Sequence, residues 1–225
     1  MQSSDNPDRR WIIIGDVHGC IRELEDLLHK VNPGKKDRVL FLGDLVNRGP
    51  HSRKVVRLAR GLEALSLMGN HELRLLQYRY SQDSAHLNAN DRKTVETLEE
   101  EDWAYLSSMA LTLHWPRNNC LFVHGGFLPA IPWQEQDASI VTRVRNICHD
   151  GMPCKQKDCP SGTFWADNWD QKPFVVYGHS PQPSVVPKAR SLGIDTGCVW
   201  GGKLTAYILP EKRLIQVDAR KKYIP

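Results

Sequence analysis

Seven polar side chains that can bind a metal ion or move a proton each follow closely on a short apolar run of this sequence. They lie in the stretches GDVHG, GDLVNRG, GNHE, VHGG and GHS, and are Asp16, His18, Asp44, Asn70, His71, His124 and His179. Carboxylate, imidazole and amide donors together suit borderline divalent cations such as manganese, iron, zinc or cobalt. Seven donors exceed the needs of one ion with open positions, so the set indicates two ions about 3.5–4 Å apart, with Asp44 as the bridge.

The apolar runs that precede these side chains have the length and composition of buried strands. The sequence predicts strands at 11–14, 39–42, 64–68, 120–123 and 174–177. Between the first three, apolar residues at helical spacing predict helices at 21–31, at 51–60 and from about Glu72. This βα alternation favours a sheet that begins as parallel βαβ units, with ligands beyond the carboxyl ends of its strands.

The second half of the chain has a different pattern. A polar insertion at 81–93, a charged helix at 95–109 and a cysteine-containing loop at 146–162 separate the later strands. After residue 193 alternating apolar residues predict β-hairpins. We therefore expect an additional sheet here rather than further βα units.

Composition limits the class of protein. With 225 residues and 40% hydrophobic content, the chain can bury one good-sized core, so we expect a disordered lead-in at 1–10 and one domain at 11–225. A net charge of +4 suits an anionic substrate without requiring nucleic acid.

The sequence shows no sign of a membrane segment or secretory signal. No apolar run approaches the roughly 18 residues that span a bilayer, and the start lacks the apolar core and cleavage site of a signal peptide. Six cysteines do not resemble a small secreted disulfide scaffold. We expect an intracellular, cytoplasmic protein with reduced thiols.

The ordered motifs GDVHG, GDLVNRG, GNHE, HGG and GHS resemble those of the calcineurin-like metallophosphoesterases of the phosphoprotein-phosphatase type. The tail GIDTGCVWGGKLTAY is similar to that of the symmetrical diadenosine tetraphosphate hydrolases and their ApaH-like phosphatase relatives. The resemblance implies a four-layer α/β/β/α sandwich with a dinuclear site at the strand ends. It places Asp16, His18 and Asp44 on one metal, and Asp44, Asn70, His124 and His179 on the other.

The resemblance also implies roles at the substrate. His71 is the expected proton donor to the leaving group, and the planar guanidinium of Arg48 is expected to hold phosphoryl oxygens. A second phosphate-binding arginine is expected in TRVRN, where the spacing leaves Arg143 and Arg145 as alternatives.

Asn47 departs from the protein phosphatases, which carry an aspartate that orients the catalytic histidine. An asparagine can accept a hydrogen bond from the imidazole ring but brings no charge, so it supports an imidazolium less well. A nucleotide phosphate leaving from an anhydride needs protonation less than a serine alkoxide does. We therefore interpret Asn47 as a mark of an anhydride-cleaving enzyme.

Two further features bear on function. Trp165, Trp169 and Trp200 are candidates to stack on a base, with core packing as the alternative. The loop with Cys148, His149, Cys154 and Cys159 is a candidate zinc site, with free thiols or a local disulfide as the alternatives.

The sequence thus predicts a hydrolase that splits diadenosine tetraphosphate into two ADP, a small nucleotide substrate. Protein dephosphorylation, polyphosphate cleavage and removal of an RNA cap are alternatives, the last being the one that implies a nucleic acid partner. A metal-binding scaffold without activity is a further one. The expected cofactors are two divalent ions, manganese first, with iron, zinc, cobalt or magnesium as alternatives.

Overall fold

The computed structural model describes residues 9–155 and 157–224. Its helices are α1 (Ile21–Val31), α2 (Ser52–Gly61), α3 (Asn70–Ser81), α4 (Ala89–Val95), α5 (Glu100–Ser107) and α6 (Ala138–Val141). Its first strands are β1 (Trp11–Ile14), β2 (Arg38–Phe41), β3 (Leu65–Ser66), β4 (Thr112–Trp115), β5 (Cys120–Val123), β6 (Asn146–Ile147) and β7 (Pro153–Cys154). The later ones are β8 (Thr163–Phe164), β9 (Phe174–Tyr177), β10 (Val186–Pro187), β11 (Ser191–Gly193), β12 (Lys203–Leu209) and β13 (Arg213–Asp218).

The first sheet has the strand order β13-β12-β1-β2-β3. Strands β1, β2 and β3 are parallel and are joined by α1 and α2, as expected for βαβ units. The antiparallel hairpin β12–β13 completes the sheet on the free edge of β1. The predicted hairpin after residue 193 therefore exists, but it extends the first sheet.

The second sheet has the order β10-β11-β9-β5-β4. Its centre is parallel, β5 with β9 and β9 with β11, so the carboxyl ends of β5 and β9 lie side by side. A small third sheet, β7-β6-β8, is formed by two strands in the cysteine-containing loop and by β8 directly after it.

Three hydrophobic clusters show how the layers stack. Alternate side chains of β1 point to opposite faces, so Ile12 and Ile14 pack in one cluster with α1, α2, α3 and α5. Trp11 and Ile13 pack in a second cluster between the two sheets, with Phe122 of β5. The third cluster covers the outer face of the second sheet and contains Phe127, Val141, Trp165 and Trp169. This last layer consists of the short α6, 3-10 turns and the third sheet.

Element bounds differ from the sequence prediction mainly where polar residues are buried. Helix α3 begins at Asn70, two residues before the predicted Glu72, because the Glu72 carboxylate accepts from the N–H of Gly69. The predicted charged helix at 95–109 is shorter, since α5 spans Glu100–Ser107. The polar insertion contains the start of α4, capped by Asn88.

Most of the predicted lead-in, residues 1–8, lies outside the described residues. Arg10, at its end, forms an ion pair with Asp37 in the turn before β2. Nowhere in the part of the chain that the structure describes is a helix long and apolar enough to cross a membrane.

Candidate metal centre and substrate cavity

Asp44 lies at the centre of a group of buried histidines. Its carboxylate oxygens are 3.4 Å from Nε2 of His18 and 3.5 Å from Nε2 of His124. Two sets of potential ligand atoms, each within 4.8 Å of one another, share this residue: one with His18 and His71, the other with His124 and His179. A carboxylate common to two sets is the arrangement that a bridge between two ions requires.

The ring orientations of three histidines are fixed by backbone carbonyls. Nδ1 of His18 lies 3.0 Å from the carbonyl of Val46, and Nδ1 of His124 lies 2.8 Å from that of Leu42. Nε2 of His179 lies 3.1 Å from the carbonyl of Arg143. Since a carbonyl only accepts, the N–H of each ring points to it, and the other nitrogen of each ring faces the centre. Such outer hydrogen bonds are typical of metal-binding histidines.

Asp16 and Asn70 lie beside this group. Both oxygens of Asp16 accept from the backbone N–H of His179, at 3.0 and 3.2 Å. The side-chain oxygen of Asn70 lies 3.3 Å from Nε2 of His124. The structure thus brings together all six residues predicted as metal ligands.

Unusual backbone conformations aim these side chains into the crevice. Five non-glycine residues of the centre have positive φ: His18 at 47°, Asp44 at 49°, Asn47 at 69°, Arg48 at 68° and His179 at 65°. The left-handed region is costly for such residues and recurs at functional sites. Gly43, at φ 102°, allows the sharp turn after β2, where a Cβ would lie 2.7 Å from the nitrogen of Gly69.

Glu72 is a buried residue of the centre to which the sequence reading gave no role. One oxygen accepts from the N–H of Leu45 and Val46, at 2.8 and 3.1 Å, and the other from the N–H of Asp44, at 2.9 Å. Burial, together with the charge of Asp44, raises the pKa of Glu72 to about 7. The first turn of α3 therefore holds the loop that presents Asp44.

His71 lies between the centre and a buried polar network. Its Nε2 is 4.0 Å from Asp44 Oδ2. Its Nδ1 is 3.0 Å from Nδ2 of Asn47 and 3.2 Å from a guanidinium nitrogen of Arg74. The Asn47 amide cannot turn round, because Nδ2 also donates to Asp91 Oδ1 at 2.7 Å and a carboxylate offers no proton in return.

The expectation that Asn47 accepts a hydrogen bond from the ring is therefore wrong. Asn47 donates to Nδ1, because Asp91, itself in a two-point contact with Arg74, takes the same amide nitrogen as its donor. The proton of His71 consequently lies on Nε2, and the ring is neutral. Burial, reinforced by the charges of His18, Arg48 and Arg74 and opposed by Asp44, lowers the pKa of His71 to about 2.

The charges of the centre fit a cation. Burial and the neighbouring Asp195 raise the pKa of Asp16 well above its usual range. Burial disfavours a charged His124, yet Asp44 and Asp16 outweigh it and raise the pKa of that imidazole to about 10. Buried carboxylates that draw a proton onto a histidine are sites where a divalent ion supplies the missing positive charge.

Asp195 was also missed by sequence reasoning. It is 7% exposed, accepts from the N–H of Gly197 at 3.0 Å, and has a pKa raised to about 6 by burial and by Asp44. It lies in the tail stretch GIDTG, directly after an apolar residue. The other centre residues follow longer apolar runs, so the sequence signal at Asp195 is of the same kind but weaker.

A cavity of about 540 Å³ borders the centre, lined among others by Arg48, Arg145 and Trp200. A guanidinium nitrogen of Arg48 lies 2.9 Å from Nε2 of His18, and Arg48 Cζ lies over the Trp200 ring, 5.4 Å from its centroid. Arg145 donates to the carbonyl of His179 at 2.8 Å. Arg143 lines a second cavity, of about 440 Å³, together with Arg145.

The three candidate tryptophans have different environments. Trp165 and Trp169 are 0% and 3% exposed and pack on Phe127, so base stacking by these two is excluded. Trp200 is 41% exposed and faces the cavity.

The family model for calcineurin-like phosphoesterases matches residues 9–217. The chain belongs to the calcineurin-like phosphoesterase family. It is a phosphohydrolase, and its family implies divalent metal ions, for which the Asp44 group supplies suitable donors. The predictions of family, fold class and phosphohydrolase activity are confirmed.

The similarity to known proteins covers nearly the whole chain. A protein of Oceanobacillus iheyensis named asymmetrical bis(5'-nucleosyl)-tetraphosphatase PrpE is 31% identical, over 94% of this chain and 93% of the relative. A symmetrical bis(5'-nucleosyl)-tetraphosphatase of Janthinobacterium sp. (strain Marseille) is 30% identical, over 94% and 97%. A crystal structure provisionally described as a diadenosine tetraphosphatase is 32% identical, with a TM-score of 0.85 and 95% of each chain covered.

Proposed function

We propose that this phosphohydrolase cleaves dinucleoside tetraphosphates, and diadenosine tetraphosphate symmetrically into two ADP. The observation that carries the proposal is the contact of His71 Nδ1 with two donors, Asn47 and Arg74. These contacts keep the ring neutral, with its remaining proton on Nε2.

A neutral imidazole donates a hydrogen bond but is a weak acid, so it gives limited help to a strongly basic leaving group. A serine or threonine alkoxide is such a group, whereas a nucleoside diphosphate is far less basic. The His71 network therefore supports anhydride cleavage over dephosphorylation of proteins. Relatives named bis(5'-nucleosyl)-tetraphosphatases support the same choice.

Asp16, His18, Asp44, Asn70, His124 and His179 are the residues proposed to hold two divalent ions, with manganese as the proposed metal. Such ions lower the pKa of water and neutralise charge on phosphoryl oxygens. Arg48 reaches into the same space and binds phosphoryl oxygens there. His71 donates its Nε2 proton in a hydrogen bond to the bridging oxygen.

Arg145 is the better placed of the two candidates for the second phosphate contact. It lines the same cavity as Arg48 and is tied to the carbonyl of His179, whereas Arg143 faces the second cavity. Two arginines that line one cavity match the several negative charges of a polyphosphate chain.

Trp200 supports a nucleoside at one end of the substrate. It lines both the main cavity and a neighbouring one of about 360 Å³, which Pro181 and Pro183 also line. A base stacked here is adjacent to Arg48, so base and phosphates are bound by neighbouring groups.

Product analysis tests the proposal. The manganese-loaded protein is given diadenosine tetraphosphate, capped RNA, inorganic polyphosphate and a phosphoserine peptide at matched concentration, and nucleotides are separated by ion exchange. We expect ADP as the sole nucleotide product and the highest rate on the dinucleotide. AMP with ATP would instead indicate asymmetrical cleavage, as in the name of the Oceanobacillus relative. A higher rate on the phosphopeptide would contradict the role assigned to Asn47.

A further inference from the structure

Three cysteines away from the phosphohydrolase centre lie together in residues 146–155 and 157–164, here called the thiol loop. The sulfur atoms of Cys148, Cys154 and Cys159 all lie within 4.8 Å of one another. Cys148 and Cys159 form a disulfide, with their Cα atoms 6.3 Å apart. Cys154 remains a free thiol beside that bond.

The backbone of the thiol loop places the sulfurs by two similar turns. In each turn a cysteine carbonyl accepts from a glycine N–H three residues on: Cys148 from Gly151 at 2.9 Å, and Cys159 from Gly162 at 3.0 Å. The pairing of β6 with β7 brings the third sulfur, Cys154, to the same place. A Cβ at Gly162 would lie 3.0 Å from the sulfur of Cys154, so the glycine leaves room for it.

A disulfide alone does not account for this arrangement, because it uses two of the three sulfurs. Three thiolates converging from two turns and a strand are a ligand set for a soft or borderline cation, and zinc is the usual occupant. A nitrogen donor lies in the first turn, outside the group of atoms within 4.8 Å of one another. Nε2 of His149 is 3.0 Å from the hydroxyl of Ser161, which is 3.9 Å from the sulfur of Cys159.

We propose that the reduced thiol loop is a zinc site, with Cys148, Cys154 and Cys159 as thiolate ligands and His149 as the fourth. A thiol reductant supplies two electrons, and two protons complete the thiols of Cys148 and Cys159. Binding of the ion then releases three protons from the three thiols. The disulfide is the oxidised, metal-free form of the same loop.

The site has a structural connection to the substrate cavity. Arg145 directly precedes β6, and its carbonyl accepts from the N–H of Trp165, just after β8, at 2.8 Å. Asn146 and Phe164, paired in the third sheet, both line the cavity with Arg145. An ion that fixes the thiol loop therefore fixes the wall from which Arg145 projects.

Cobalt substitution tests the site without relying on activity. The full chain is reduced with a phosphine, freed of metal, and titrated with cobalt while the near-ultraviolet absorption is recorded. The Asp44 group offers oxygen and nitrogen donors, so thiolate-to-cobalt charge transfer does not arise there. We expect such a band to reach a plateau whose intensity corresponds to one thiolate-bound cobalt per chain, to disappear on addition of zinc, and to be absent from the oxidised protein.

Substitutions identify the residues that give rise to the charge-transfer band. Cys154→Ser is expected to abolish it, and His149→Ala to weaken cobalt binding by about tenfold, as loss of one ligand or its support does. Cys20→Ser is the matched control, because Cys20 and Cys198 form the other thiol group, with Glu23. The control keeps the band, and circular dichroism checks that every variant is folded.

A reduced protein without the band would overturn the proposal, as would a band that persists in Cys154→Ser and vanishes in Cys20→Ser. Unchanged cobalt affinity in His149→Ala would remove that residue from the ligand set. Asp44→Asn keeps the band even though it disables the phosphohydrolase centre, so failure of the zinc site and failure of the proposed function give different results.

Discussion

Asn47 and Asp91 together decide the protonation of His71. Asp91 is completely buried in the short helix α4 and turns the Asn47 amide nitrogen towards the ring. A protein-phosphatase-like aspartate at position 47 would meet this carboxylate at hydrogen-bond distance. The amide at position 47 is therefore coupled to a second residue 44 positions later in the chain.

The double change Asn47→Asp with Asp91→Asn exchanges the two groups without changing the net charge. The carboxylate introduced at position 47 accepts from Nδ1 of His71 and favours the imidazolium, which is a better acid. We expect the ratio of phosphopeptide to dinucleotide turnover, in kcat/KM, to rise by about 10²-fold, the lower end for a positioned proton donor. Steady-state rates on the two substrates measure it.

The single change Asn47→Asp serves as its control. It places the new carboxylate at position 47 beside that of Asp91, and the two repel each other. We expect a lower melting temperature and a smaller rise in the ratio of phosphopeptide to dinucleotide turnover than in the double variant. An unchanged substrate ratio in the folded double variant would contradict the assigned role of Asn47.

Trp200→Ala is expected to raise KM for diadenosine tetraphosphate by about tenfold, or about 1.4 kcal/mol, within the about 1–3 kcal/mol of a base on an aromatic ring. The substitution also removes the contact between Trp200 and Arg48. Tripolyphosphate carries no base, so its KM reports the loss of that contact without the loss of stacking. An equal rise in KM for both substrates would contradict stacking. Tyr80→Ala, which removes another exposed aromatic ring, is the matched control.

The candidate ligands could be found from the sequence because each follows an apolar strand that is itself easy to detect. Asp91 and Arg74 could not, because each lies in a polar stretch of the sequence. Only the fold brings Asp91 into contact with Arg74 and Asn47. Trp165 and Trp200 look alike in sequence, and tertiary packing alone separates the buried ring from the exposed one.

Helix α3 and the loop after β2 act as one unit. The Glu72 carboxylate accepts four backbone N–H groups, three from residues 44–46 and one from its own helix start. The N-terminus of α3 thereby fixes the residue that both ligand sets share.

Glu72→Gln replaces the carboxylate with an amide. The NH2 group of this amide is a donor, so it faces a backbone N–H with no acceptor between them. We expect a loss of about 1–3 kcal/mol in the free energy of unfolding, because buried donors lose their partner. Manganese affinity is expected to fall by about tenfold, as when an outer hydrogen bond to a metal site is lost. Denaturant unfolding and calorimetric titration measure the two effects.

Glu100→Gln on α5 is the matched control, since its carboxylate is 80% exposed and pairs with Arg79 at the surface. We expect a change within about 0.5 kcal/mol there. Equal destabilisation by Glu72→Gln and Glu100→Gln would contradict the role of Glu72 in holding residues 44–46.

Periodicity predicted α1 and α2 closely, because their apolar faces are continuous. Strand β3 is shorter than the predicted 64–68, since residue 67 forms an isolated bridge to Ala110 instead of a ladder. The final hairpin was recognised by its alternation. Its partner sheet could not be read from the sequence, because alternation fixes which face is buried and not which strand lies alongside.

Metal binding is expected to stabilise the whole molecule. Asp16, Asp44 and Asp195 are buried near one another, and a divalent ion offsets their repulsion. At a manganese concentration of 100 times Kd, linkage gives about 2.7 kcal/mol, or about 5–11 °C in Tm for a chain of this size. Thermal unfolding with manganese, and with a chelator, measures the shift.

Asp44→Asn should abolish this manganese-dependent shift in Tm, because it removes the charge shared by both ligand sets. A shift that survives in Asp44→Asn would place the ion elsewhere. Cys154→Ser is the matched control, since manganese prefers oxygen and nitrogen donors to thiolates and its shift should remain.

The position of β12 on the free edge of β1 also has a consequence for biosynthesis. While the chain emerges from the ribosome, β1 can pair with β2 early, but its other edge stays open until residues 203–209 have been made. An open strand edge invites pairing with other nascent chains. A chaperone that shields β1 during translation would act at the stage when this protein is most prone to aggregate.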